Sequence, residues 1–303
     1  MTEIKIGSRK GKLAIAQANW VKKEIERLSE NIKCEIVYIT TRGDRFLSSP
    51  LHKLDGTGFF TKEIENILLN GEIDIAVHSM KDLPTELREG LYIGAITQRE
   101  PANDVFISDG RKLSELKPGA KIGTSSLRRR SQLLLLKKDI NVVNMRGNID
   151  TRIKGFISKG FDGIVVAYAG IKRAGYQNMI AEIFPIDVII PAVGQGALGL
   201  EIRKDDEYLY NIVSRLDNEN ARITITAERS FLKAFGGGCK TPVGAYAWIE
   251  NKRLNMIGGV FSIDGNKSIV ETISNDSLNP EDIGRKIADI IVKRGGLDLI
   301  NQE

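Results

Sequence analysis

The sequence has few of the residues that build metal sites and disulfides. Its 303 residues include two cysteines, Cys34 and Cys239, and only two histidines. These four residues do not have the spacing of metal ligands, so we expect no bound metal. Cys34 lies in an alternating run typical of a strand, and a disulfide to Cys239 is not expected in a reducing compartment.

Long apolar runs are also absent. No stretch approaches the length that spans a membrane, and the first seven residues lack the apolar core of a secretory signal. Hydrophobic residues make up 42% of the chain and charged residues 27%, which is ordinary for a globular protein. We therefore expect a cytoplasmic protein that does not enter a membrane.

Positive charge is concentrated in one part of the chain. Residues 120–180 contain twelve Lys or Arg and three Asp or Glu, although the whole chain carries a net charge of only +5. Such a window indicates a polyanionic partner, which is a nucleic acid, a phosphate or a ligand with several carboxylates. Aromatic residues make up only 6% and no known nucleic-acid-binding module is present, so a nucleic acid is the weaker interpretation.

Alternating strand and helix patterns predict an α/β fold. A strand over 3–8 precedes an amphipathic helix, and the pattern at 120–126 resembles the one at 4–8. We therefore expect two similar α/β domains that face each other across a cleft. Two crossings between them, at 97–103 and 191–199, would form a hinge.

The last part of the chain has a different pattern. Strand-like runs at 243–249, 253–261 and 268–274 and a helix near 280–293 predict a smaller α+β domain. The expected domains are 1–98 with 196–216, then 99–195, then 217–303, the last of which carries the Cys239 loop.

Arginines follow three successive predicted strands in the basic window. They are Arg128 to Arg130, Arg146, Arg152 and Arg173. Neighbours on a helix point about 100° apart, so at most two of the first three can face one site. We favour Arg128 and Arg129, which are nearest the start of their helix. The planar guanidinium suits a carboxylate ligand because it pairs with it in a bidentate manner.

A carboxylate stands at the end of another predicted strand. The strand over 73–79 delivers Ser79, Lys81 and Asp82 at its carboxyl end, where ligands bind in open α/β sheets. A Lys-Asp pair on a surface is usually solvated and contributes little to stability. In a cleft lined by arginines, however, Asp82 is placed to transfer protons.

Cys239 lies in a glycine-rich loop. Gly236, Gly237 and Gly238 precede it, and Lys240 follows it. A neighbouring ammonium favours the thiolate, which is the nucleophilic form. A free cysteine is more often a small buried hydrophobe, so the loop alone leaves both interpretations open.

Two familiar motifs receive little support. His78 and Ser79 are neighbours on a strand and point to opposite faces, which makes them a poor base and nucleophile. Gly194, Gly196 and Gly199 have the dinucleotide-binding spacing, but a strand-like run follows them where a helix is needed. A turn or hinge is the better interpretation of these glycines.

Five stretches together resemble the porphobilinogen deaminase family, whose members are also called hydroxymethylbilane synthases. They are VHSMKDLP at 77–84, GTSSLRR at 123–129, MRGN at 145–148, PAVGQG at 191–196 and GGCKTPVG at 237–244. They occur in the order and spacing of the family and spread over most of the chain. The resemblance implies two periplasmic-binding-protein-like α/β domains around a cleft and a smaller C-terminal α+β domain.

The resemblance also implies a function. The enzyme would join four porphobilinogen molecules, with loss of ammonia, into the linear tetrapyrrole hydroxymethylbilane. Cys239 would carry a dipyrromethane cofactor through a thioether, and Asp82 would be the acid-base residue, with Lys81 beside it. The implied partner is this small-molecule substrate, without nucleic acid, and the implied assembly is a monomer.

Further residues match the binding positions of the family. For the substrate they are Arg9, Phe60, Ser79, Arg146, Arg152, Arg173 and Gln195. For the cofactor they are Lys81, Asp82, Thr124, Ser126, Arg128, Arg129 and Cys239. The sequence departs from the common pattern at Gly11, where many members have serine, and at Thr57, where a lysine is common in the lid over 42–60.

One alternative from another class is a two-domain protein that binds an anion or another solute. Such a protein would share the hinge and the basic cleft. It would not need Cys239 or Asp82, so these two residues distinguish the interpretations.

Overall fold

The chain builds three sheets and the helices that cover them, and the computed structural model describes residues 2–41, 61–236, 241–276 and 279–301. The strands are β1 Thr2–Arg9, β2 Ile32–Ile39, β3 Ile75–Ser79, β4 Leu91–Ile96, β5 Asp104–Ser108, β6 Lys121–Gly123, β7 Asn141–Val143, β8 Gly163–Ala167, β9 Ile180–Ile183, β10 Leu198–Arg203, β11 Val243–Glu250, β12 Arg253–Phe261 and β13 Ser268–Asn275. The helices are α1 Lys12–Glu26, α2 Lys62–Leu69, α3 Leu127–Leu136, α4 Ile149–Ser158, α5 Tyr168–Ala174, α6 Glu207–Val213, α7 Glu219–Lys233, α8 Pro280–Lys293 and α9 Gly296–Asn301.

The first two sheets have the same strand order. The order is β2-β1-β3-β10-β4 in one sheet and β7-β6-β8-β5-β9 in the other. In each sheet the first three strands are parallel, and the fourth is antiparallel to both of its neighbours. Strands β1 and β6 therefore occupy equivalent places, which gives the similarity between 4–8 and 120–126 a topological basis.

The central strands of these sheets are buried on both faces. All five residues of β5 and of β8 are buried, as are the first four of β3. Strands that are buried along nearly their whole length are typical of sheets covered by helices on both sides. In the first sheet, Ala18, Val21 and Ile25 of α1 supply one such cover, because they recur on a single face of the helix.

Two segments connect the two sheets. The chain passes from β4 to β5 through 97–103, and from β9 back to β10 through 184–197. The segments bind each other, since the Thr97 amide donates to the Leu198 carbonyl at 3.0 Å and the Glu100 amide donates to the Gly196 carbonyl at 3.3 Å. The two predicted crossings therefore lie side by side. The second connection spans 184–197, whereas the predicted crossing was 191–199.

The C-terminal part has an antiparallel sheet covered by two helices. Its strand order is β11-β12-β13, with α7 and α8 packed on it. The helices approach closely at Gly284, where a Cβ atom would lie 2.3 Å from the Ala227 carbonyl oxygen. Together with the two α/β sheets, this unit confirms the predicted fold class. The exact domain boundaries stay a prediction.

Candidate active site

A central cleft of about 520 Å³ lies between the two α/β units. It is bounded by the start of α1, the end of β3 and the segment that leads into α4. Its charged lining residues are Arg9, Lys10, Lys81, Asp82, Arg129, Arg146 and Arg152, and Ser79 lines it as well. Asp82 is the one acid among the described residues that line it, so the cleft is strongly positive.

A short 3-10 turn places Lys81 and Asp82 in this cleft. The turn, Met80–Asp82, begins directly after β3. Met80 is 1% exposed, and its amide donates to the Ala197 carbonyl at 3.0 Å, so it anchors the turn. Lys81 and Asp82 directly follow this anchor, and both are half-buried.

Glycines allow the second crossing to pack against this turn. Gly194 has φ +71°, and a Cβ atom there would lie 2.8 Å from the Cβ atom of Met80. Gly196 has φ +103°, and its Cβ would lie 2.2 Å from the Glu100 carbonyl oxygen. These positions require glycine for backbone conformation and close approach, as the interpretation of a turn predicted.

Arg128 and Arg129 converge on one buried carboxylate. Asp104, fully buried at the start of β5, accepts from Arg128 Nη2 through Oδ2 and from Arg129 Nη2 through Oδ1, both at 2.7 Å. Burial alone would raise the pKa of Asp104, but the two guanidiniums hold it well below its usual range. Arg130 points elsewhere and donates to the Val142 carbonyl. Only two of the three arginines therefore meet at one point, as helix geometry predicts, and their role toward a ligand stays a prediction.

The two arginines differ in their access to the cleft. Arg129 lines it, whereas Arg128 is not among the lining residues and also donates to the Ile190 carbonyl at 2.6 Å. Arg129 is 6% exposed, and its Nε atom has no hydrogen-bond partner among the described residues. A buried guanidinium with one unsatisfied N–H fits an anionic ligand, such as a carboxylate of the implied cofactor.

Gln195 lies behind the cleft wall. Its side-chain oxygen accepts from Lys81 Nζ at 3.2 Å and from Arg129 Nη2 at 3.4 Å. Its side-chain nitrogen donates to Asp104 Oδ1 at 2.8 Å and to the Ala102 carbonyl at 2.6 Å. Gln195 is 1% exposed, and it connects the second crossing to two cleft cations.

Burial lowers the pKa of several cationic side chains here. It lowers the pKa of Lys81 to about 8, and nearby Arg129 adds to this effect. It lowers the pKa of Arg152 to about 10, with Arg129 and Arg146 contributing in the same direction. The pKa of Arg146 is also lowered by burial. Cations this close together favour an anionic ligand, because its charge would offset both their desolvation and their repulsion.

The remaining predicted residues in the described ranges make hydrogen bonds within the protein. Of these, Ser79 lines the cleft, whereas Thr124, Ser126 and Arg173 are not among its lining residues. Ser79 Oγ accepts from Gln17 Nε2 at 3.0 Å. Thr124 Oγ1 accepts from the Ser126 amide, and Ser126 Oγ caps α3 by accepting from the Arg129 amide. Arg173 donates to the Gly196 carbonyl at 3.1 Å. Phe60, Thr57 and Cys239 lie outside the described residues.

Sequence reasoning missed Asp104 and several residues of the cleft wall. Gln17, Gly147, Asn148 and Thr151 line the cleft. The stretch MRGN at 145–148 was a signal for two of them. The sequence indicated Asp104 only weakly, as an acidic residue at the point where the second series of strand and helix patterns begins.

Comparisons with known proteins identify the family. The family profile described as "Porphobilinogen deaminase, dipyromethane cofactor binding domain" matches residues 4–211, and "Porphobilinogen deaminase, C-terminal domain" matches residues 222–293. The chain belongs to the porphobilinogen deaminase family. The porphobilinogen deaminase of Pelotomaculum thermopropionicum is 44% identical over 99% of this chain and 96% of its own length. The one from Geobacter sulfurreducens is 42% identical over 99% and 94%.

Solved structures outside this family are more distant. The methionine binding protein MetQ is 14% identical, covers 82% of this chain and 99% of its own, and has a TM-score of 0.45. The VFT2 domain of BvgS from Bordetella pertussis is 12% identical, covers 75% and 92%, and has a TM-score of 0.42. The fold assignment therefore rests on the sheets described above.

Proposed function

We propose that this member of the porphobilinogen deaminase family polymerises four porphobilinogen molecules into hydroxymethylbilane, with loss of ammonia. The observation that carries the proposal is the charge of the central cleft, where the described lining residues include six cationic side chains and one carboxylate, that of Asp82. Each pyrrole unit brings two carboxylates, so a growing chain needs many cationic partners. One proton-transfer group can serve every addition.

The roles of the residues follow from their chemistry. Asp82 would donate the proton that assists the departure of ammonia, and its carboxylate would then stabilise positive charge on the pyrrole nitrogen. Arg9, Arg146, Arg152 and Arg173 would bind the carboxylates of the substrate. These four side chains are half-buried, and three of them are carried by a strand or a helix, which favours a fixed substrate orientation.

The cofactor would be held by a second group of residues. A dipyrromethane bound through Cys239 would supply the pyrrole to which each new unit is joined. Lys81, Arg128 and Arg129 would bind its carboxylates, and the unsatisfied Arg129 Nε supports this assignment. Thr124 and Ser126 would contribute hydroxyl groups beside them, and Phe60 and Gln195 would contribute to the substrate site.

Further features of the proposal concern the whole chain. No helix in the described ranges is long and apolar enough to cross a membrane. We expect a cytoplasmic monomer that acts on a small molecule and not on nucleic acid. We also expect the domain boundaries given above, with the crossings at 97–103 and 191–199 as the hinge between the α/β domains.

An intact mass measurement tests the proposal. Protein purified from cells that make porphobilinogen should carry a covalent addition of two pyrrole units, and the Cys239→Ser variant should lack it. An unmodified wild-type protein from such cells would contradict the enzyme function and favour a solute-binding protein with the same cleft.

A further inference from the structure

We propose that Asp104 is a positioning residue that fixes two cationic side chains of the cleft. It would hold Arg129 directly and Lys81 through Gln195. The proposal rests on the proposed function, because it assigns a role toward the cofactor carboxylates. Asp104 does not line the cleft, so it would act through these side chains and not by contact with the ligand.

Both carboxylate oxygens of Asp104 accept hydrogen bonds from neighbouring side chains. Oδ2 accepts from Arg128, and Oδ1 accepts from Arg129 and from Gln195 Nε2. The carboxylate is fully buried, so these charge-assisted hydrogen bonds are made in a medium of low dielectric constant. Two arginines from neighbouring helix positions can lie this close together because the negative charge of Asp104 offsets the repulsion between their guanidiniums.

The contacts of Arg129 show what Asp104 does for the cleft. Arg129 Nη1 donates to the Val165 carbonyl at 3.2 Å, and Nη2 donates to Asp104 at 2.7 Å, so the two Nη groups are held by the protein. Nε has no partner among the described residues. The protein thus holds one end of the guanidinium and leaves one buried N–H for a ligand.

Gln195 extends the same arrangement to Lys81. Because its nitrogen donates to Asp104, its oxygen is oriented toward Lys81 Nζ at 3.2 Å. Gln195 Nε2 also donates to the Ala102 carbonyl, so both crossings meet at this point. The charge state of Lys81 therefore depends on Asp104 as well as on its direct neighbours.

The electrostatics give the sign of the effect. The charged groups that act on Lys81 are Arg129 and Arg128, which lower its pKa, and Asp82 and Asp104, which raise it. Removal of the Asp104 charge takes away one of the two groups that raise the pKa of Lys81, whereas burial and the arginines still lower it. The pKa of Lys81 should then fall below its value of about 8.

The experiment uses full-length apoprotein from cells that cannot make porphobilinogen. The variants are Asp104→Asn, which keeps the shape and removes the charge, and Asp104→Glu, which keeps the charge. Asp217→Asn is the matched control, because Asp217 also accepts from an arginine, Arg222, but does not line the cleft or contact Lys81. Competitive acetylation of Lys81 across pH, read by peptide mass, gives its titration midpoint. Uptake of the two-pyrrole mass on addition of porphobilinogen gives the loading rate.

We expect the Lys81 midpoint to move to lower pH in Asp104→Asn and to stay near the wild-type value in Asp104→Glu and Asp217→Asn. Loading of Asp104→Asn should be slower by about tenfold or more, as expected if a displaced Arg129 or a neutral Lys81 no longer makes one charge-assisted hydrogen bond to the ligand. An unchanged midpoint in folded Asp104→Asn, or an equal loss of loading in Asp217→Asn, would overturn the proposal.

A second variant covers the case in which Asp104→Asn does not fold. Gln195→Met removes the connection to Lys81 but leaves both arginine pairs, and it should slow loading while Asp104 stays paired. Normal loading of this variant would reject the role of Gln195. A wild-type apoprotein that never gains mass would reject the proposed function, whereas the acetylation midpoint tests Asp104 independently.

Discussion

Arg99 and Glu228 form a buried bidentate ion pair where the two crossings meet the C-terminal unit. Arg99 Nη1 and Nη2 lie 2.5 and 3.1 Å from the two carboxylate oxygens of Glu228. Glu228 is fully buried and also accepts from the Gly194 amide at 2.7 Å and the Ala247 amide at 2.9 Å. Arg99 lies on the first crossing, Gly194 on the second and Ala247 on β11. One carboxylate therefore connects both crossings to the C-terminal sheet.

Glu228→Gln should therefore destabilise the protein strongly. The substitution leaves the Arg99 guanidinium buried without its counter-charge, which typically costs about 3–5 kcal/mol. We expect a clear decrease in the thermal unfolding midpoint. Glu86→Gln is the control, because Glu86 pairs with Lys233 at an exposed site and should not measurably change the midpoint. Equal effects of the two variants would contradict the role of the buried pair.

Asp82→Asn should abolish most turnover without loss of the fold. Asp82 is half-buried and sits on a turn anchored by Met80, so the amide fits the same space. Loss of general acid catalysis should reduce the rate of ammonia release by roughly 100- to 10,000-fold. Steady-state assays give the rate, and a thermal melt checks the fold. Exposed Asp109→Asn serves as a control with normal turnover; near-normal turnover of Asp82→Asn would remove Asp82 from its proposed role.

The pKa of Lys81 predicts how ligand binding depends on pH. Burial lowers this pKa to about 8, so Lys81 is mostly charged at pH 7 and mostly neutral at pH 9. A carboxylate ligand prefers the charged form, so its affinity should fall as the pH rises through this value. If only the charged form binds, the loss between pH 7 and 9 is about tenfold.

The Cys239→Ser protein lacks the cofactor, so porphobilinogen can enter the proposed cofactor site beside Lys81, and its equilibrium binding there measures this effect. Lys81→Arg in the same background is the matched control, since a guanidinium stays charged throughout this range and should remove most of the decrease. A decrease of the same size in both proteins would show that another group titrates.

Local sequence patterns predicted those parts of the fold and site that depend on neighbours along the chain. The similarity of 4–8 to 120–126 predicted the equivalent strands β1 and β6, and helix geometry predicted that at most two of Arg128 to Arg130 could meet at one point. The position of Asp82 at a strand end was predicted in the same way. In each case the relevant spacing lies within one or two elements.

Long-range contacts were not predictable in this way. Asp104 meets Arg128 and Arg129 only because β5 returns beside β8, antiparallel to it. Gln195 reaches Lys81 across more than one hundred residues of sequence. The local sequence around Asp104 or Gln195 does not indicate such partners. These contacts behind the cleft could therefore be found only from the structure.

Gly11→Ser should be tolerated and slightly stabilising, whereas the close contacts at Gly196 do not admit a side chain without a shift of the chain. Gly11 precedes α1 with φ −70° and ψ 144°, an extended conformation that any residue adopts, and α1 has no side-chain cap. Among the described residues, a Cβ atom there would meet only the Cβ of Asn148, at 4.0 Å. A serine hydroxyl could accept an N–H of the first turn and stabilise the helix by a few tenths of a kcal/mol relative to glycine, roughly.

Gly196→Ser is the matched contrast for this test. Gly196 has φ +103°, and its Cβ would lie 2.2 Å from the backbone oxygen of Glu100, so the chain must shift. Thermal melts should show an equal or higher midpoint for Gly11→Ser and a much lower one for Gly196→Ser. Because Gly11 lines the cleft, the added hydroxyl should also leave porphobilinogen affinity unchanged or increase it. A lower midpoint for Gly11→Ser would mean that the start of α1 is more constrained than its open surroundings indicate.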